Sequence, residues 1–132
     1  MPVGDGSFDH VMMLFVLHHV PRPHDQEHLI AEAARIARRS ILIVEDTPGS
    51  PFGRLSAKVL DWTFNRPFGV PTPFGFRTRA DWCRTLEDLG LRVRFVDTYR
   101  VLWPTLKTFP NTLFVAQPMG DARWRETPSG PG

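Results

Sequence analysis

The chain has 132 residues, 42% of them hydrophobic and 23% charged, which is enough for one modest domain with a packed core and excludes a disordered chain. Its formal net charge is +2, near balance, and no basic block with interleaved aromatics marks a nucleic-acid surface. No apolar run approaches the ~20 residues of a membrane span, so neither nucleic acid nor membrane is an expected partner.

Asp5-Gly6-Ser7 is a turn. Val11 to Leu17 is a run of seven apolar residues that ends at His18-His19. Bounded by turn residues, such a run predicts a strand over residues 10–17, buried on both faces. Pro21 and Pro23 break the chain, and Asp25 is the candidate helix N-cap. Leu29, Ala33, Ile36 and Ala37 set a helical period from Gln26 to about Arg39. Ile41-Leu42-Ile43-Val44 predicts a second buried strand, ending at Glu45-Asp46. Strand, helix, strand is a βαβ unit with parallel strands.

Phe52, Leu55, Val59 and Trp62 predict a helix over 52–65. Residues 66–76 are too rich in proline and glycine for regular structure. Thr78 caps the next helix, with Asp81 as its capping-box partner. Trp82, Leu86 and Leu89 form the apolar face of this helix, Cys83 reads as a reduced core thiol, and Gly90 ends it. Leu91, Val93 and Phe95 alternate with Arg92 and Arg94, which predicts a half-buried strand near an edge. Residues 99–111, with Trp103-Pro104, are a long connection, and Thr112 to Gln117 is a last short strand. The domain is expected over residues 1–117, with a disordered tail over 118–132.

The run Phe8-Asp9-His10-Val11, its apolar continuation and Leu17-His18-His19 resemble the fourth strand of class I S-adenosylmethionine-dependent methyltransferases. The helix with its G-L-x-V strand, residues 79–96, and the final L-F-V-A strand resemble the family's ending. The resemblance covers residues 4–117. It implies an α/β fold, a partial Rossmann-like methyltransferase sheet with flanking helices. The strands would be the equivalents of 4-5-7-6 in the family order 3-2-1-4-5-7-6, the last one antiparallel. It also implies methyl transfer from S-adenosylmethionine to a small-molecule acceptor. Two features depart from the family. Arg38-Arg39-Ser40 stand where it often carries Pro-Gly-Gly, and the sequence holds no G-x-G-x-G loop or strand-2 acidic residue for the cofactor. The chain is therefore expected to be a truncated piece that binds S-adenosylmethionine weakly or not at all. The alternative is a non-catalytic methyltransferase-like module completed by a partner chain.

Open parallel sheets bind ligands beyond the carboxyl ends of their strands. His18 and His19 are thus candidate catalytic residues, as base or hydrogen-bond donor, or else structural histidines bonded to loop backbone. Strand alternation would send their side chains in opposite directions. By the resemblance, Leu14 and Phe15 touch the methionine part of the cofactor. Glu45 ends the second strand on the same rim, as a substrate contact or a solvated loop carboxylate. The aromatic-rich insertion reads as a cover over an apolar acceptor, with Phe68 and Phe74 as contacts, or as a helix packed on the sheet, the favoured reading for Phe52 and Trp62. The set His18, His19, His24 and His28 invites a metal reading, with His24 and His28 four apart, but His24 precedes the expected cap and neither a cysteine nor H-E-x-x-H accompanies them. No metal centre is expected, and a metal-dependent hydrolase is the weakest reading. With no signal-type N-terminus and one cysteine, a cytoplasmic location is expected. The first strand would lie on an open edge, so self-association through it is expected.

Overall fold

In the computed structural model, which describes residues 3–100 and 108–118, the chain enters the sheet with strand β1 (Phe8–Leu14). Helix α1 (Pro23–Ile36) crosses over to β2 (Ala37–Asp46), which pairs with β1 in parallel. Helices α2 (Pro51–Asn65) and α3 (Arg79–Asp88) follow, then β3 (Leu91–Tyr99) and β4 (Asn111–Pro118). The sheet order is β1-β2-β4-β3, with β4 antiparallel to both neighbours. This is the α/β arrangement expected from the sequence, including the inverted last strand.

Along β2, the buried Ile41 and Ile43 alternate with the less buried Leu42 and Val44. The period of two turns one face toward α1 and α3. There Ile30, Ile41, Ile43, Trp82, Leu86 and Phe114 form the centre of the core. Each such side chain contributes about 1.5–3 kcal/mol by leaving water.

Several expected boundaries move. The long apolar run is not a doubly buried strand. β1 stops at Leu14, with Met12 and Leu14 exposed and Val11 and Met13 partly buried against the core. An edge strand packs one face only, and an unbroken apolar run does not distinguish the two cases. Ala37-Arg38-Arg39 belong to β2 rather than to the preceding helix. Ala37 pairs with Phe8, and Arg38 and Arg39 both reach the Asp9 carboxylate on β1. These cross-strand contacts override the helical period. α1 starts at Pro23, whose fixed φ suits a first helical position, with Arg22 in the cap position. Asp25 lies inside the first turn, on Arg22 Nε at 2.7 Å.

α2 packs on an unexpected face. Its buried residues are Gly53, Ala57 and Asp61, four apart, while Phe52, Leu55, Val59 and Trp62 are exposed. The reading of Phe52 and Trp62 as packed on the sheet is thereby corrected. Small residues permit closer approach: a Cβ on Gly53 would stand 3.0 Å from Ser50 Oγ and 3.5 Å from Phe109 Cβ. α3 begins as expected. Thr78 Oγ1 accepts from the Asp81 N–H, and the Asp81 carboxylate accepts from the Thr78 N–H, each at 3.2 Å. Gly90, at φ +73, follows its end. Cys83 is a free, half-buried thiol beside the core, and burial pushes its pKa up. The middle of the long connection, with Trp103-Pro104, and the tail from residue 119 lie outside the described residues. Among the described residues, no helix is long and apolar enough to cross a membrane.

Candidate functional site

Alternation along β2 puts Ile41, Ile43 and Glu45 on one face, so the core row ends in a carboxylate. Glu45 is fully buried. Its Oε1 accepts from the N–H groups of Val16 at 2.9 Å and Leu17 at 2.7 Å, and its Oε2 lies 2.7 Å from Nδ1 of His18. Those amides open a 3₁₀ turn, Leu17–His19, where backbone donors lack partners of their own. A side chain from β2 thus caps the turn that follows β1. Hydrogen bonds to a charged group contribute about 1.5–3 kcal/mol. Glu45 is therefore not a solvated loop carboxylate: it is buried, with both oxygens hydrogen-bonded within the chain.

Between β1 and the turn the chain passes through Phe15 at φ +52, and the Phe15 N–H donates to Val44 O at 2.8 Å. Phe74, at φ +61, is the other non-glycine residue with positive φ among the described residues. A bulky side chain in the left-handed region carries strain of about 1–3 kcal/mol, and such residues cluster at ligand sites. Both phenylalanines are among the site residues expected from the sequence. Leu14 and Phe15 lie exposed at the open end of β1.

His18 is buried, and its ring stacks on Phe76 at 4.9 Å. With Nδ1 on Glu45, its Nε2 faces Asp61 Oδ1 of α2 at 3.6 Å. His19 Nδ1 donates to the Pro71 carbonyl at 2.9 Å, since a carbonyl only accepts. Its Nε2 lies 3.9 Å from the same Asp61 oxygen. The two rings are 4.2 Å apart. The expectation that they diverge is corrected: they stand on a 3₁₀ turn, not on a strand, and turn to the same side. Burial by itself pushes the His18 pKa down. The Glu45 hydrogen bond and the charges of Glu45, Asp46 and Asp61 outweigh it, and the imidazole is held above its ordinary value.

Two residues that sequence reasoning missed complete the site. Gln26 of α1 directs Nε2 at the carbonyls of Leu17, Val20 and Gly75, at 2.9, 3.2 and 3.0 Å. Gly75 N–H donates to His18 O at 2.9 Å. A Cβ on Gly75 would stand 2.8 Å from Val20 O, so the loop carrying Phe74 and Phe76 meets the histidine turn where only glycine fits. Asp61 is the second. Asn65 Nδ2 donates to its Oδ1 at 2.7 Å. Its signal in the sequence was the four-residue row Gly53, Ala57, Asp61, which the larger aromatics beside it obscured.

Phe74 is half-buried, with Lys58 Nζ 5.7 Å from its ring centre. Phe68, on a short 3₁₀ turn, is 82% exposed. His24 and His28 do share a face, with Nε2 atoms 2.9 Å apart, because α1 already includes His24.

The four-stranded sheet with its antiparallel last strand matches part of a class I, Rossmann-like methyltransferase fold. A family described as a methyltransferase domain matches residues 1–44. An S-adenosylmethionine-dependent methyltransferase of Methanosarcina mazei aligns at TM-score 0.65 and 18% identity, over 89% of this chain and 62% of its own. A protein assigned as a methyltransferase from Bacillus halodurans aligns at TM-score 0.62 and 15% identity, over 89% of this chain and 73% of its own. One from Haloferax volcanii, solved in complex with a methyltransferase activator, aligns at TM-score 0.63 and 19% identity, over 92% and 58%. The chain thus spans about three fifths of the Methanosarcina and Haloferax proteins, and at these identities the likeness establishes the fold. No curated protein sequence matches the chain.

Proposed function

We propose that this chain supplies the acceptor side of a site for methyl transfer from S-adenosylmethionine to a small molecule. The observation that carries the reading is the strained Phe15 at the carboxyl end of β1, followed at once by a polar turn clamped from β2. Strain is kept where the surroundings enforce it, and in open α/β sheets ligands bind at this end. The fit to the cofactor is partial. Leu14 and Phe15 are exposed where its methionine part would lie, but Glu45 already takes the amides of Val16 and Leu17. With no G-x-G-x-G loop in the sequence, this chain by itself binds the cofactor weakly or not at all.

When bound, the cofactor supplies a sulfonium methyl for in-line displacement. The residues here align the acceptor and keep water out. His19, whose side chain is 23% exposed against 4% for His18, meets the acceptor. It hydrogen-bonds the attacking atom, or takes its proton where one must be lost. His18 and Glu45 position the turn. Phe74 and Phe68 lie on the loop side as apolar cover for the acceptor. A cytoplasmic location belongs to the same proposal, supported by the single free thiol.

The other reading is a non-catalytic module completed by a partner chain. Its support is the exposed apolar edge of β1 and the activator bound to the Haloferax relative. The test uses the longest reading frame that contains this chain. His19→Ala should lower turnover at least tenfold with little change in cofactor affinity. Equal turnover in the His18→Ala and His19→Ala variants and the parent would reduce the pair to a structural role.

A further inference from the structure

The geometry points to a binding site for a divalent transition-metal ion of the zinc class, formed by Nε2 of His18, Nε2 of His19 and a carboxylate oxygen of Asp61. The three ligand atoms all lie within 4.8 Å of one another. A tetrahedral ion with ligands at about 2.0–2.2 Å needs neighbouring ligand atoms roughly 3.4 Å apart. The 3.6 Å and 3.9 Å separations from Asp61 Oδ1 are within a small contraction of that.

The orientation of the two rings adds to the distances. Each histidine has its other nitrogen engaged, His18 Nδ1 on Glu45 Oε2 and His19 Nδ1 on Pro71 O. A carboxylate or carbonyl behind Nδ1 is what fixes the ring of a ligating histidine, leaving Nε2 for the ion. Both rings are fixed this way, and both Nε2 atoms face the same carboxylate. Asn65 anchors one oxygen of that carboxylate. The histidine distances run to that oxygen, Oδ1; the other, Oδ2, is buried without a hydrogen-bond partner, in a residue only 9% exposed. An unpaired buried carboxylate oxygen is costly, and an ion held through both oxygens of the carboxylate removes the cost.

Charge agrees. Glu45 and Asp61 are both buried, and among the described residues no lysine or arginine pairs with either. Two carboxylates and two imidazoles leave a place for a divalent ion. Three protein ligands also leave coordination open to water or a ligand oxygen. Sequence spacing hid the site, because the acid comes from α2 and the histidines from the turn after β1. The exposed His24–His28 pair is a decoy by comparison, with no third ligand among the described residues. An ion on His19 Nε2 occupies the nitrogen that would otherwise meet the acceptor, because Nδ1 is held by Pro71 O, so the ion and the acceptor contact exclude each other at this ring. The inference does not rest on the methyl-transfer reading.

The test titrates Zn²⁺ into the whole chain by calorimetry, with Co²⁺ visible absorption as an independent readout of ligand geometry. One ion per chain and an intense tetrahedral Co²⁺ spectrum are expected. Asp61→Asn and His19→Ala should each weaken binding at least tenfold, and a His24→Ala/His28→Ala double variant should bind unchanged. His19 is only partly buried, so its variant decides the matter if Asp61→Asn fails to fold. Absence of binding, or binding lost with His24 and His28 but kept without His19, would overturn the proposal.

Discussion

Glu45 holds the turn after β1 through three hydrogen bonds, to Val16, Leu17 and His18. Its place at the carboxyl end of β2 was legible in the sequence, but its burial was not. The three groups it binds come from the turn after β1, and no local pattern links the two segments. The same limit hid Gln26 and Asp61, whose partners are distant in sequence. The histidine pair was legible as polar residues following an apolar run. Its direction was not, because strand alternation does not extend into a 3₁₀ turn. Glu45→Gln keeps the shape but removes the charge that both amides and His18 bind. It should lower stability by about 1.5–3 kcal/mol, read as a drop in the urea midpoint at unchanged slope. An unchanged midpoint would mean that the turn holds itself.

Elements defined by local chemistry were legible, and those defined by packing were not. Thr78, Asp81 and Gly90 mark both ends of α3 through contacts within a few residues, and all three hold in the structure. The α2 stripe misled because exposed aromatics at helical spacing look like a core face, while the real contact uses glycine and alanine. α3 gives a sharp prediction. The Thr78 hydroxyl bond, with help from the Thr78 N–H and Arg84, holds the Asp81 carboxyl below its ordinary 3.8. A depressed carboxylate stabilises fully above its unfolded value and loses that contribution as pH falls through the folded one. Thr78→Ala should therefore cost about 1 kcal/mol near neutral pH. The difference from the parent should shrink in urea melts as pH is lowered below 3.8, as Asp81 becomes protonated in both. A pH-independent difference would mean that the hydroxyl acts without the carboxylate.

At the scale of the whole molecule, the sheet order came from the family resemblance and not from periodicity, which cannot order strands. The structure bears that order out, with β1 at an edge. Phe8, Met12 and Leu14 are exposed there. An apolar edge is a template for pairing with another strand, so the chain should dimerise or aggregate, and Met12→Lys should reduce this. Light scattering showing a monodisperse monomer with a cooperative thermal transition would contradict it. On the function proposed above, this chain would carry the acceptor side of a methyl-transfer site, and its sequence holds no G-x-G-x-G loop for the cofactor. Calorimetry of the 132-residue chain with S-adenosylhomocysteine is the test. No saturable micromolar binding is the predicted result, and micromolar affinity would contradict it.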